Sequence, residues 1–263
     1  MENSPAKQPA RSAAPTASTA VRPRPSLFRS TRRALVRGLS QLVYPDLCGN
    51  CDGHIPAGLR FVCLDCRFSM PTLDLHRLVE NEMTDRFWGR LPVSRAAALL
   101  SYGEGQPARR LIWHLKYDNR PGIGTWLGGW LGETLAEDQA AFGHFDAIVP
   151  VPLHPTRQRT RGYNQAEQIA NGIAQASEAE VLAQAVLRTR HTETQTKKSS
   201  FDRAKNMENV FELSPKLDLR GRVILLVDDV MTTGATLEAV GRELTKAQPA
   251  ELKIATLALA RNF

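Results

Sequence analysis

The chain has 263 residues, a formal net charge of +7 and 42% hydrophobic residues. That length allows one sizeable domain with a smaller accessory module, and no apolar run approaches the roughly 18–20 residues that cross a membrane. The composition argues against a membrane-spanning chain, and the lack of a secretory apolar segment favours a cytoplasmic location.

The excess positive charge lies in the N-terminal tail. Residues 1–45 carry eight Lys or Arg and one acid, Glu2, whereas basic and acidic side chains balance in the rest of the chain. Residues 1–30 are rich in Ala, Pro, Ser, Thr and Arg, which predicts a disordered basic tail. A solvated extension is the favoured interpretation. A basic arm that contacts nucleic acid or anionic lipid, and an organellar transit peptide, are the alternatives.

Residues 31–70 are predicted to form a short helix and a small metal-binding ribbon. Leu35, Leu39 and Leu42 recur at helical spacing, and the helix ends before Pro45. Two Cys-x2-Cys pairs then follow, and this spacing predicts a structural Zn2+ site with four thiolate ligands. The ligands are Cys48, Cys51, Cys63 and Cys66. Disulfides fit poorly with a chain that lacks a secretory signal. The ribbon could bind nucleic acid or protein, or brace a neighbouring domain.

The remaining residues alternate between predicted strands and helices. A connector at 71–92 contains a helical piece near 73–85. The predicted strands cover 95–102, 146–151, 222–228 and 251–260, and a strand or a pair of strands is predicted near 180–190. The predicted helices cover 106–117, 123–138, 161–177 and 234–247. This alternation predicts an α/β fold with a mostly parallel sheet flanked by helices, and ligands in such folds bind at the carboxyl ends of the strands.

An acid pair and a hydroxyl-rich turn follow the apolar strand at 222–228. Asp228 and Asp229 end this strand, and carboxylates accept hydrogen bonds from ribose hydroxyls. The turn that follows contains Thr232, Thr233, Gly234, Ala235 and Thr236. It leads into a helix, whose first backbone N–H groups can bind a phosphate. Gly234 allows close approach of the backbone to that phosphate. The segment therefore predicts a site for a phosphorylated sugar.

A basic segment after the strand at 146–151 is a candidate for binding further phosphate groups. Arg157, Arg159 and Arg161 follow a proline-rich turn and precede the helix predicted at 161–177. Guanidinium groups match phosphate oxygens well, and Arg157 and Arg161 are the strongest candidates for contact with a diphosphate. A solvated basic loop is the alternative.

The ordered motifs resemble those of a known family. The Asp-Asp and Thr-Thr-Gly-x-Thr segment resembles the phosphoribosyl-pyrophosphate (PRPP) motif of type I phosphoribosyltransferases. The four-cysteine ribbon, Leu115-Lys116-Tyr117, the segments 149–154 and 161–166, and Arg203-x-x-Asn206 extend the resemblance to the ComF family over about residues 35–263. The chain departs from the family in Asn209-Val210-Phe211, where Gly-Ala-Phe is usual, and in its long basic tail.

The resemblance implies a site for PRPP and Mg2+. Asp228 and Asp229, the candidate catalytic pair, would contact the ribose 2- and 3-hydroxyls, and residues 232–236 would surround the 5-phosphate. The polar stretch 191–206 would close over the ligand, and a plain surface loop is the alternative. Its candidate contacts are Gln195, Lys197, Lys198 and Arg203. The implied organisation adds a connector and hood-like accessory segment at 71–145 and a phosphoribosyltransferase-like core at 146–263.

Two functions are consistent with these motifs. The first is a PRPP-binding, phosphoribosyltransferase-like protein of the ComF type, linked to DNA uptake and natural transformation or to nucleotide metabolism. The alternative is a non-catalytic scaffold that binds single-stranded DNA or competence-machinery proteins through the ribbon and the basic tail. No nucleobase-reading motif is evident, so the sequence leaves the acceptor of a ribosyl group, and catalysis itself, open.

Overall fold

The computed structural model describes residues 47–137, 139–189, 210–215 and 217–261. By its internal contacts the chain divides after Pro45, and all of the described residues belong to the second unit, Asp46–Phe263. The predicted tail at 1–30 and helix at 31–43 lie outside the described residues. The whole of the predicted closing segment at 191–206 does so too, with Gln195, Lys197, Lys198 and Arg203.

The described elements alternate between helices and strands over most of the chain. In chain order they are α1 (Leu64–Phe68), a 3-10 turn (Leu75–Arg77), α2 (Glu82–Asp85), β1 (Val93–Tyr102), α3 (Pro107–Tyr117), α4 (Pro121–Glu137), α5 (Gln139–Phe142), β2 (Ala147–Pro150), α6 (Pro155–Arg161), α7 (Gln165–Ala174), β3 (Glu180–Val181), β4 (Val186–Arg188), β5 (Phe211–Leu213), β6 (Val223–Met231), α8 (Ala235–Thr245) and β7 (Glu251–Ala260). None of the described helices is long and apolar enough to cross a membrane.

A five-stranded sheet forms the centre of the fold. Its strand order is β1-β7-β6-β2-β3, and every neighbouring pair is parallel. Strands buried on both faces read as continuous apolar runs, and residues 223–227 of β6 are all buried. Two apolar clusters pack against the sheet. The predicted mostly parallel sheet flanked by helices is therefore confirmed, and β4 and β5 form a separate antiparallel pair.

The sheet begins earlier in the chain than the predicted core. Strand β1 lies within the segment 71–145, which we expected to be an accessory segment, yet it pairs with β7 along the edge of the central sheet. The predicted division into four segments stays a prediction.

Three predicted elements differ in the structure. The helix predicted at 161–177 is the shorter α7, which begins at Gln165. A separate helix that was not predicted, α6, precedes it; Pro155 starts α6, and Gly162, with a φ of 81°, ends it in the left-handed region. The strand predicted to end at Asp228 continues to Met231, because β7 still pairs with it beyond the acids. The helical piece near 73–85 is a 3-10 turn and a separate short helix, which the capping box of Asn81 begins.

Helices α4 and α7 touch through glycine. A Cβ atom built on Gly128 would lie 2.3 Å from the carbonyl oxygen of Ile169, and one built on Gly172 would lie 2.2 Å from that of Thr125. Both distances are far below van der Waals contact, so the two helix backbones approach as closely as they do only because side chains are absent. This contact fixes α7 against α4, and with it the segment that leads into α7 from α6.

Candidate functional site

The acid pair lies within β6, toward its carboxyl end. The backbone N–H of Asp229 donates to Oδ1 of Asp228 at 2.8 Å. Nζ of Lys116, which lies near the end of α3, is 2.9 Å from Oδ1 of Asp229, and the two side chains are only 24% and 13% exposed. The structure thus places a largely buried cation directly on the acid pair.

The protonation of these groups follows from burial and charge. Burial, and then the repulsion of the neighbouring Asp229, raise the pKa of Asp228, and the Asp229 N–H, Lys116 and Arg188 only partly oppose this, so that the pKa is about 7. Burial acts to lower the pKa of Lys116, but the attraction and hydrogen bond of Asp229 outweigh it, so the pKa of Lys116 is raised. Lys116 therefore stays charged at neutral pH, while Asp228 is close to its titration point.

The hydroxyl-rich turn connects β6 to α8. Thr232, Thr233 and Gly234 form a bend, and α8 begins at Ala235. Gly234 has a φ of 81°, in the left-handed region that favours glycine, and a Cβ there would lie 3.2 Å from the Phe87 ring. The N–H groups of the first turn of a helix have no partner within that helix, so the start of α8 can donate to an anion.

Arg86 fixes this turn from outside. Its guanidinium donates to the carbonyl oxygen of Thr232, and also to that of Ala260 at 3.0 Å. Through these two hydrogen bonds, Arg86 connects the turn to the end of the neighbouring strand β7. Arg86 could not be identified from the sequence, because one arginine in a connector between elements carries no recognisable pattern.

A cationic cavity of about 630 Å3 adjoins the acid pair on the side of Lys116. It is lined by Lys116, Tyr117, Asn119, Thr156, Arg157, Arg159, Thr160, Arg161 and Gly162. All three arginines of the predicted diphosphate segment are therefore in one cavity, and Lys116, which pairs with Asp229, is in it too. Arg161 donates to Oε1 of Gln165 at 2.9 Å and lies over the Tyr117 ring at 5.2 Å.

Arg188, at the end of β4, is a second cation that the sequence did not indicate. Burial and the repulsion of Arg157 lower the pKa of its guanidinium, and the attraction of Asp228 opposes them. The charge of Arg188 therefore interacts both with helix α6, which carries the three arginines, and with the acid pair. The residue lies in the segment predicted as strand at 180–190, and no spacing rule connects it with either group.

The four cysteines form a compact cluster, as their spacing predicted. Their sulfur atoms lie within 4.8 Å of one another. Burial acts to raise the pKa of Cys48, but hydrogen bonds to its sulfur, chiefly from the backbone of Cys51, Cys63 and Asn50, outweigh it and lower that pKa to about 6. Nδ2 of Asn50 also donates to Sγ of Cys66 at 3.3 Å. Four thiols with donors around them can hold a metal ion such as zinc, with no coordination position left open.

The cysteine cluster is attached to the helix that carries Lys116. Arg110 of α3 donates to the carbonyl oxygen of Asn50 and forms an ion pair with Asp52. A Cβ on Gly49 would lie 2.9 Å from the Leu111 side chain, so the cluster packs directly on α3. These contacts indicate that the ribbon at least braces its neighbouring domain.

Comparison with known proteins decides the family. The model of the phosphoribosyl transferase domain matches residues 135–262. DNA utilization protein YhgH of Escherichia coli K12 is 31% identical over 165 residues, which are 62% of this chain and 71% of that protein. Competence protein F of Haemophilus influenzae is 40% identical over 116 residues, 44% of this chain and 51% of that protein. The chain belongs to the ComF family. It spans about half the length of the Haemophilus relative.

Other similarities are more partial. Competence protein ComFC of Bacillus subtilis is 33% identical to this ComF-family chain over 99 residues, 38% of each protein. An allosteric regulatory enzyme of purine biosynthesis has a TM-score of 0.37 and 17% identity, covering 55% of this chain and 30% of its own. Hypoxanthine-guanine phosphoribosyl transferase of L. donovani has a TM-score of 0.33 and 18% identity, and the match covers 52% of this chain and 67% of that chain.

These findings confirm the predicted family and the phosphoribosyltransferase-like fold with a four-cysteine cluster near the N-terminus. They favour a phosphoribosyltransferase-like protein over a scaffold that acts only through ribbon and tail. The matched domain includes the acid pair, the turn at 232–236 and the arginine helix. Lys116, Arg86 and the cysteines lie before it in the chain.

Proposed function

We propose that this ComF-family protein binds PRPP at the carboxyl end of the sheet. One observation carries the proposal. The acid pair, a glycine-containing turn into a helix and a cavity lined by arginines lie side by side, and the ion pair of Lys116 with Asp229 joins the first to the last. The 5-phosphate, the ribose hydroxyls and the diphosphate of PRPP follow one another along the ligand. They match the turn, the acid pair and the arginine-lined cavity in that order.

Each group of residues has a role in this proposal. Asp228 and Asp229 hold the ribose 2- and 3-hydroxyls, and Thr232, Thr233, Gly234, Ala235 and Thr236 surround the 5-phosphate. Arg157 and Arg161 bind the diphosphate through charge-assisted hydrogen bonds. Lys197, Lys198 and Arg203 belong to the proposed closing segment, which lies outside the described residues.

Catalysis in such a site rests on positioning and electrostatics rather than on a covalent protein nucleophile. The acid pair orients a ribose ring that becomes cationic as the diphosphate leaves, and the arginines stabilise the charge of the departing diphosphate. The carboxylates suit a hard cation with oxygen ligands, so Asp228 and Asp229 would hold Mg2+ together with ligand oxygens. Mg2+ supplies charge neutralisation at the diphosphate. Zn2+ at the cysteines has a structural role.

The names of the relatives suggest where this chemistry is used. They are called competence proteins and DNA utilization proteins. We therefore propose that the protein acts in DNA uptake and natural transformation or in nucleotide metabolism, and that it does so in the cytoplasm. Single-stranded DNA or proteins of the uptake machinery are its proposed macromolecular partners.

The test is calorimetric titration of the full chain with PRPP and Mg2+. We expect binding by the wild type and a loss of at least tenfold in affinity for Asp228→Asn/Asp229→Asn, because each carboxylate contributes charge-assisted hydrogen bonds. A matched control, Asp74→Asn/Asp218→Asn, removes two acids that are exposed at the surface. Wild-type protein that does not bind PRPP would refute the proposal.

Diphosphate release measures catalysis separately. Wild-type protein incubated with PRPP and a panel of nucleobases should release diphosphate faster than without base if it transfers the ribosyl group. Binding with no release for any base of the panel would favour ligand sensing over transfer to a nucleobase.

A further inference from the structure

We propose that Lys116 selects ligands that carry a diphosphate on ribose carbon 1. Its ammonium leaves Asp229 and binds a diphosphate oxygen when the ligand enters. The inference rests on the proposed function and deepens it, because it names a residue, in addition to Arg157 and Arg161, that separates PRPP from ribose 5-phosphate. That residue lies outside the matched phosphoribosyl transferase domain, which begins at residue 135.

The position of Lys116 is the first argument. The side chain reaches from α3 to the acid pair, where Nζ lies 2.9 Å from Oδ1 of Asp229. The same side chain lines the cavity that contains Arg157 and Arg161. Lys116 therefore borders both the group proposed to bind the ribose hydroxyls and the space proposed to bind the diphosphate.

The chemistry of the ligand is the second argument. The diphosphate of PRPP is bonded to carbon 1, next to the carbon whose hydroxyl the acid pair would hold, whereas the 5-phosphate is at the other end of the ring. A cation beside the acids and open to the arginine cavity is adjacent to carbon 1. The 5-phosphate is proposed instead to bind at the turn that begins α8, whose residues do not line the cavity that Lys116 lines. An ammonium at this position contributes to the binding of the diphosphate and not of the 5-phosphate.

The fixed backbone around Lys116 is the third argument. The hydroxyl of Tyr163 donates to the carbonyl oxygen of Leu115, and Arg161 stacks on Tyr117. Both neighbours of Lys116 are thus held, one by the last residue of α6 and the other by the segment that joins α6 to α7. The lysine can exchange partners by rotation of its side chain alone, and the exchange leaves Asp229 available to a ribose hydroxyl.

The experiment compares two ligands by calorimetry, PRPP and ribose 5-phosphate, each with Mg2+. The variants are Lys116→Gln, which keeps a neutral donor near Asp229, and Lys116→Arg, which keeps the charge. Lys246→Met is the matched control, because it removes a lysine from an exposed ion pair with Glu243 on α8. Thermal unfolding of each variant confirms that it folds.

We expect Lys116→Gln to weaken PRPP binding by about 10- to 100-fold, as the loss of a charge-assisted hydrogen bond predicts, and to change ribose 5-phosphate binding less than about threefold. Lys116→Arg should recover part of the PRPP affinity. Equal losses for both ligands would overturn the inference, because Lys116 would then only balance the charge of the acids. Unchanged affinity for both would overturn it too. Wild-type protein that binds no PRPP would instead refute the proposed function.

Discussion

Substitution of Gly128 tests whether the close contact of α4 with α7 is as tight as the structure indicates. Alanine would place its Cβ 2.3 Å from the carbonyl oxygen of Ile169, about 1 Å inside van der Waals contact. Alanine in place of glycine within a helix gains up to about 1 kcal/mol, but an overpacked contact costs about 1–3 kcal/mol or more. Here the opposing atom belongs to a backbone, so the helices must separate. We expect Gly128→Ala to lower the free energy of unfolding by about 1–3 kcal/mol.

The neighbouring Gly129 is the control. Its added Cβ would lie 3.9 Å from the nearest atom, the carbonyl oxygen of Gly172, so Gly129→Ala keeps the gain in helix propensity without the overlap. It should raise stability by about 0.5–1 kcal/mol. Urea unfolding followed by circular dichroism measures both changes, and for a chain of this size 1 kcal/mol moves the Tm by about 2–4 °C. If Gly128→Ala proved as stable as Gly129→Ala, the argument from helix contact would be wrong.

Three further predictions concern the site and the cysteines. Folding raises the pKa of Asp228, so this carboxyl binds its proton more tightly in the native state than in the unfolded chain. The protonated carboxyl therefore stabilises the native state below pH 4, and this stabilisation is lost as the pH rises through about 7. Asp228→Asn should therefore flatten the fall in Tm between pH 4 and pH 8. Arg86→Met should lower the Tm by several degrees and weaken PRPP binding, since two backbone carbonyls lose a charged donor. Asn50→Ala should weaken metal affinity about 10- to 100-fold in a chelator titration, because Cys66 loses its hydrogen bond.

The controls for these predictions are also available in the chain. Arg261 forms an exposed ion pair with Glu82, so Arg261→Met should change stability by less than about 0.5 kcal/mol and leave PRPP affinity unchanged. A Tm for Asp228→Asn that depends on pH as the wild type does would mean that another group titrates. An Asn50→Ala protein that keeps full metal affinity would show that the cysteines need no support from Asn50.

Sequence reasoning found the parts of the site that are contiguous along the chain. The segment from Asp228 to Thr236 consists of the end of one strand, one turn and the start of one helix. Its structure could therefore be predicted from the local sequence pattern. The two cysteine pairs are likewise local, and their spacing predicted the cluster that the fold brings together. The arginine segment was identified although its helix, α6, was missed, because a seven-residue helix with three arginines has no apolar periodicity.

The residues that sequence reasoning missed come from distant parts of the chain. Arg86 reaches a turn 146 positions away, and its partner atoms are backbone oxygens that leave no trace in the sequence. Lys116 was noted only as part of a family motif, and its ion pair with Asp229 depends on how α3 packs against the sheet. The close contact at Gly128 was equally hidden, because glycine within a predicted helix gives no indication of what lies opposite.

The extension of β6 beyond the acids has an entropic consequence. Asp228 and Val230 still pair with β7, so the backbone that carries the acid pair is ordered before any ligand arrives. Ordering the backbone of one residue costs roughly 1–2 kcal/mol of conformational entropy. Because this loss has already occurred on folding, it does not reduce the free energy of ligand binding. When a ligand binds to these acids, only side chains and water need to rearrange. The two carboxylates therefore present a preformed arrangement of hydrogen-bond acceptors to the ligand.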